Sequence, residues 1–169
     1  PFDTKPRFVQ IDDRVLRKIM AVYLGMISYV DHLFGMVLDA LDETGLSENT
    51  AVFMFSDHGD WAGDYGLVEK WPSGLDDCLT RIPMLVRTPA CKPGHVVDEP
   101  TACFDIMPTT LELAGIEPQH THYARSMTPQ IRGEPGDPER AVFADGGYDT
   151  HEPHCFEGRP SDPIAGNPD

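Results

Sequence analysis

The densest run of reactive side-chain types follows the apolar segment Thr50-Ala51-Val52-Phe53-Met54-Phe55. Ser56-Asp57-His58-Gly59-Asp60 comes first, then Gly63-Asp64-Tyr65-Gly66, and then Lys70. Asp57 offers an oxygen donor and His58 a nitrogen donor, a pair able to ligate a divalent cation at the carboxyl end of a strand, where α/β sheets hold their ligands. Lys70 is a compact point charge on a flexible stem, suited to an anion held by that cation. Gly59 is expected to let the backbone leave the strand steeply, through torsions a larger residue resists. Two donors fall short of the roughly four to six a tight site takes, so others must come from elsewhere. From spacing alone, a turn-forming aspartate and a surface histidine fit Asp57 and His58 equally well.

The remaining candidates are weaker. Asp60 and Asp64 offer further oxygens, but loop acids usually face solvent. Arg81 directly precedes the apolar run Ile82-Pro83-Met84-Leu85-Val86 and is expected to pair with Asp76 or Asp77. Lys70 beside Trp71 also fits an exposed lysine lying over a ring. His32 sits on a helical stretch beside its apolar face. His120, His122, His151 and His154 fall in loop or tail sequence without a second ligand pair. No Ser-His-Asp or Gly-x-Ser-x-Gly arrangement is present.

These residues need elements to carry them. Asp12-Asp13 supplies an N-cap for a long helix, along which Val15, Ile19, Val22, Met26, Val30, Leu33, Val37 and Leu41 mark one apolar face, with Gly45 as its stop. Thr50 to Ser56 and Ile82 to Val86 read as buried strands, with Pro83 placing the second near its start or at an edge. Val96-Val97 reads as a short extended piece. Phe104 to Gly115 reads as a helix with Asp105 near its cap, and Ala141 to Ala144 as a last short strand. Residues 118–138 are mostly loop. Alternating helices and buried strands predict an α/β layered fold.

The chain has 169 residues, 40% of them hydrophobic and 24% charged, and a formal net charge of −15. One domain of ordinary soluble composition follows, spanning 1–145, with a Gly-, Pro- and acid-rich tail over 146–169. The negative field disfavours nucleic acid and anionic membranes as partners, and forces any anionic substrate to rely on local cations. Asp31, His32 and Asp39 interrupt the apolar run from Met20 to Leu41 and are expected to exclude a membrane span. Cys78, Cys91, Cys103 and Cys155 lack CxxC spacing, which argues against disulfide and zinc scaffolds and favours a reduced, cytoplasmic setting. Both termini read as cut rather than native.

Tyr29-Val30-Asp31, Gly35 to Leu41, Thr50 to Gly59, Gly63 to Leu67 with Lys70, Arg81 to Val86 and Asp105 to Gly115 occur in one order. Together they resemble the carboxyl-terminal half of a sulfatase catalytic domain, in the alkaline phosphatase-like superfamily that includes phosphonate monoester hydrolases. The resemblance runs from about Tyr23 to Gly133. It implies a layered sandwich around a mixed, mostly parallel sheet, with one divalent cation at the strand ends, calcium by family or manganese given the softer imidazole. It places metal ligands on Asp57 and His58 and the anion-contacting lysine on Lys70, and matches Arg81 to a structural arginine. Many members carry His where this chain has Tyr65.

The resemblance also implies a formylglycine nucleophile, made from Cys or Ser in an upstream C-x-P-x-R motif that this chain lacks. Cys91-Lys92-Pro93-Gly94-His95 ends in His where that motif has Arg. The implied substrate is a small anionic sulfate ester; oligomeric state stays open. A phosphonate or phosphate diester hydrolase and a non-catalytic binding module are the alternatives.

Overall fold

A computed structural model describes residues 11–68, 70 and 74–145. The tail over 146–169, with His151, His154 and Cys155, and also Trp71, lies outside the described residues. Helix α1 (Asp13–Glu43) begins as its sequence requires: the Asp12 carboxylate accepts the Arg14 amide at 2.7 Å. Thr44 caps its other end and Gly45 turns away at φ +69°.

At about 1.5 Å per residue α1 spans roughly 46 Å, yet none of its residues is buried. Val22, Met26, Val30, Leu33 and Val37 are all exposed, so the apolar face read from the sequence has no cover among the described residues. By length and composition α1 is also apolar enough to cross a membrane. The three polar interruptions therefore do not exclude a span on their own.

Strands β1 (Val52–Phe55) and β2 (Met84–Arg87) pair antiparallel, from Val52 opposite Arg87 to Phe55 opposite Met84. Pro83 stands just before β2, where its missing N–H breaks no ladder bond. The expected mixed, mostly parallel sheet is not what the described residues form; they make this two-stranded ribbon alone. Val96-Val97 and Ala141 to Ala144 take no regular strand structure. A strand is fixed by its neighbour's ladder, and neither segment finds one here.

Between the strands lie a 3-10 turn at Asp64–Gly66 and the short helix α2 (Asp77–Thr80). After β2 come a 3-10 turn at Cys103–Asp105, helix α3 (Ile106–Ala114) ending at Gly115, and helix α4 (Thr128–Ile131) within the Pro-rich stretch. Among the described residues the buried apolar side chains are Trp61, Leu79 and Met127. The buried polar part is better organised. Asp105 and Thr109 are fully buried, and the Thr109 hydroxyl donates to the Asp105 carbonyl at 2.6 Å while accepting the Met127 amide at 2.8 Å.

Asp105 occupies the position before α3, as expected, but its side chain does not cap that helix. It accepts the amides of Ala102 and Arg125, each at 2.9 Å, and both Arg140 terminal nitrogens at 2.6 and 2.8 Å. Burial pushes this carboxyl's pKa up, but the Arg140 guanidinium and the two amides outweigh burial and hold it below the ordinary carboxylate range. Its stabilising share is therefore complete above the unfolded value of about 3.9 and disappears as pH falls through the lower folded value. Urea midpoints are expected to drop between about pH 5 and pH 2, less steeply in Asp105→Asn.

Candidate functional site

The chain leaves β1 through a tightly bonded turn. The Ser56 hydroxyl donates to the His58 carbonyl at 2.6 Å, and Asp57 Oδ1 accepts the His58 amide at 3.0 Å. The Gly59 amide then donates to the Leu79 carbonyl at 2.8 Å, tying the turn to α2. Here the sequence reading of Gly59 needs correction. Its φ is not positive. Glycine is required by proximity: a Cβ at this position would sit 1.9 Å from the Cys78 carbonyl oxygen.

This turn aims two donors the same way. His58 Nδ1 lies 2.7 Å from the Gly59 carbonyl, so it carries the proton and leaves Nε2 with a free lone pair. That Nε2 is 3.8 Å from Asp57 Oδ2. A cation about 2.0–2.6 Å from each donor fits between them with a small side-chain adjustment. The donor chemistry suits a divalent ion, but among the described residues no group of three or more His, Cys, Asp or Glu side chains forms a complete ligand set.

Asp57, His58 and Lys70 line one open cavity of about 1180 Å³. The strand-end donors and the lysine, twelve or more positions apart in sequence, thus face a shared space. Arg81 lines it too. The expected ion pair with Asp76 or Asp77 is absent among the described residues; only the Arg81 amide reaches the Asp77 carbonyl, at 2.8 Å. Its exposed guanidinium is a second cation on the wall.

The other candidates stay apart. Asp60 accepts the Ala62 amide at 2.7 Å, and neither it nor Asp64 reaches the cavity. Tyr65, at φ +55°, stands edge-on to the buried Trp61 with ring centres 5.6 Å apart and does not line the cavity. His32 is exposed on α1, and His120 and His122 pack against each other elsewhere. Cys91 borders a separate hollow of about 300 Å³, away from Asp57. Cys78, Cys91 and Cys103 are free thiols.

Sequence reasoning missed a second stretch of the wall. It is built from 97–104 and 142–145, segments read only as short extended pieces and a helix start. Cys103 approaches the carbonyl of Ser56 with Sγ at 3.9 Å. Burial and then the Asp57 charge raise its pKa, so the thiol stays protonated and is a poor nucleophile. Among the described residues, Asp98, Glu99 and Asp145 join Asp57 and Asp77, so five carboxylates share the lining with Lys70 and Arg81. An anion entering this cavity meets net negative charge unless another cation shares it.

The chain belongs to the sulfatase family: the family model Sulfatase matches residues 2–116. A sulfatase of Formosa agariphila is 30% identical over 135 residues, covering 80% of this chain and 26% of its own. The arylsulfatase of Clostridium perfringens is 37% identical over 63% of this chain and 22% of its own. Among solved structures, the phosphonate monoester hydrolase SpPMH from Silicibacter pomeroyi superposes with a TM-score of 0.71 at 36% identity, over 76% of this chain and 25% of that one. The chain thus spans about a quarter of the length of the relatives it matches.

Proposed function

We propose that this chain forms the cation- and anion-binding end of a sulfuric ester hydrolase, one that cleaves sulfate monoesters with a nucleophile carried by a part of the domain outside this sequence. The observation that carries this reading is the convergence of Asp57, His58 and Lys70 on one cavity. Family membership supplies the reaction class. The layered α/β sandwich is completed, on this reading, by the three quarters of the relatives' length that has no counterpart here. That remainder covers the exposed apolar face of α1 and the open edges of the β1–β2 ribbon.

Asp57 Oδ2 and His58 Nε2 would hold the divalent ion, with the remaining ligands coming from the rest of the domain. When bound, the ion supplies positive charge at the ester's non-bridging oxygens, which offsets the carboxylates of the cavity. The Gly59 carbonyl fixes the His58 tautomer, and the Ser56 hydroxyl fixes the turn that presents both donors. Lys70 donates to an oxygen of the transferred group and stabilises the charge that grows there in the transition state. On this reading the attacking group would be a formylglycine made in a C-x-P-x-R motif outside this sequence.

Calcium is the ion the family resemblance favours, and the imidazole of His58 also suits manganese. That imidazole, with the likeness to a phosphonate monoester hydrolase, supports a second reading: a phosphonate or phosphodiester hydrolase with the same residues in the same roles. Assays of the full-length protein with an aryl sulfate and an aryl phosphonate decide between them. Lys70→Ala is expected to lower kcat/KM by about 10² to 10³. Asp57→Ala is expected to lower it at least as far and to weaken metal affinity roughly 10- to 100-fold or more, read by metal titration. Wild-type rates in both variants would sink the proposal.

A further inference from the structure

The buried Asp105–Arg140 pair plays no part in the mechanism above, although both residues stand next to the cavity. Asp105 follows Cys103 and Phe104, which line it, and Arg140 precedes Val142 and Phe143, which line it too. We infer that this pair is a clamp holding the outer wall of the cavity at a fixed spacing from Asp57 and His58, so that Asp105 and Arg140 are positioning residues for the anion the cavity takes.

The contacts form a continuous path. Asp105 is fully buried, and the Arg140 side chain is 8% exposed. Two guanidinium nitrogens grip the two carboxylate oxygens at 2.6 and 2.8 Å, a fork that fixes direction as well as distance. Oδ2 also accepts the Ala102 amide, which pins the start of the Cys103–Asp105 turn. Cys103 in turn abuts the Ser56 carbonyl, one residue before the metal-binding pair. On the other side, Arg140 is presented by a turn in which its amide donates to the Asp137 carbonyl at 3.1 Å. Asp137 Oδ2 also accepts Arg125 Nη1 at 2.8 Å, and the Arg125 amide donates to Asp105.

The wall segments need such a tie. Residues 141–145 join no sheet and no helix. Among the described residues no hydrogen bond from their own backbone ties them to 97–104; the links between the two stretches are the Gly136 amide on the Glu99 carboxylate and the Asp105–Arg140 pair. A buried ion pair is often no more stabilising than apolar side chains of equal volume, so stability alone does not account for this one. Fixed geometry does.

The test uses the full-length protein with its native cysteines replaced by Ser and spin labels at Asp98→Cys and Phe143→Cys. One narrow distance distribution across the cavity is expected. Arg140→Lys keeps the charge but loses the fork, and Asp105→Asn loses the charge; both should widen the distribution. In Arg140→Lys, which keeps both charges, amides of Ala102 and Arg125 should exchange about tenfold faster while those of Val52 to Phe55 keep their protection. An unchanged distance distribution overturns the clamp. So does a rise in exchange through β1 of Arg140→Lys as large as that at Ala102 and Arg125, which marks a general loss of stability. Should Asp105→Asn fail to fold, Arg140→Lys carries the same measurement.

A second arm rests on the sulfuric ester reading. In the full-length protein, Arg140→Lys should raise KM for an aryl sulfate about fivefold or more, with kcat within about twofold. An unchanged KM beside a widened distance overturns the positioning role. If no ester is hydrolysed at all, the proposed function fails, and the distance and exchange measurements still decide the clamp.

Discussion

Arg140→Met should destabilise the chain by about 3–5 kcal/mol, the loss typical when one partner of a buried ion pair is removed. The carboxylate of Asp105 would remain fully buried with only the amides of Ala102 and Arg125 to satisfy it. Two amides cannot replace a guanidinium fork, because they supply partial charges where the carboxylate needs a full one. The measurement is a urea denaturation curve at neutral pH, read as a shift in midpoint at constant slope. The double variant Asp105→Leu with Arg140→Met should recover much of the loss, since it removes both charges together. A single variant that unfolds at the wild-type midpoint would show that the pair is not buried in solution.

Gly59→Ala is the second large effect. An added methyl carbon would stand 1.9 Å from the Cys78 carbonyl oxygen and 2.8 Å from its carbon, both backbone atoms that cannot swing aside. Either the turn after β1 or helix α2 must move, and the Gly59–Leu79 hydrogen bond breaks with it. Overpacking of this kind costs about 1–3 kcal/mol, and the lost bond adds about 1. The effect on the site should be larger than the effect on stability. His58 is oriented through the carbonyl of Gly59, so displacement of that residue releases the imidazole from its tautomer and its aim. Metal titration of the full-length protein should therefore show a loss in Gly59→Ala comparable to that in Asp57→Ala. Wild-type stability together with wild-type metal affinity would contradict the close approach.

Much of the local structure is legible in the residues themselves. The N-cap of α1 at Asp12, its stop at Gly45, the end of β1 just before Ser56, the stop of α3 at Gly115 and the place of Pro83 all follow from side-chain chemistry within a few positions. The ligand-type pair at Asp57 and His58 and the cation at Lys70 stand out for the same reason: a polar cluster interrupts an apolar run. Those features depend on near neighbours, and near neighbours are what a sequence displays.

What only the tertiary structure decided depends on residues far apart in the chain. Sequence reasoning gave Gly59 a torsional role, whereas its need comes from Cys78, brought against it by the path of the intervening loop. Arg81 was assigned to an acidic neighbour and instead faces the cavity. Asp105 was read as a helix cap, yet its carboxylate turns back to Arg140, 35 positions away. The described strands β1 and β2 pair antiparallel, a direction set by the partner strand and encoded by no residue pattern within one strand. Side-chain type announces what chemistry is available; only the folded backbone selects which groups meet.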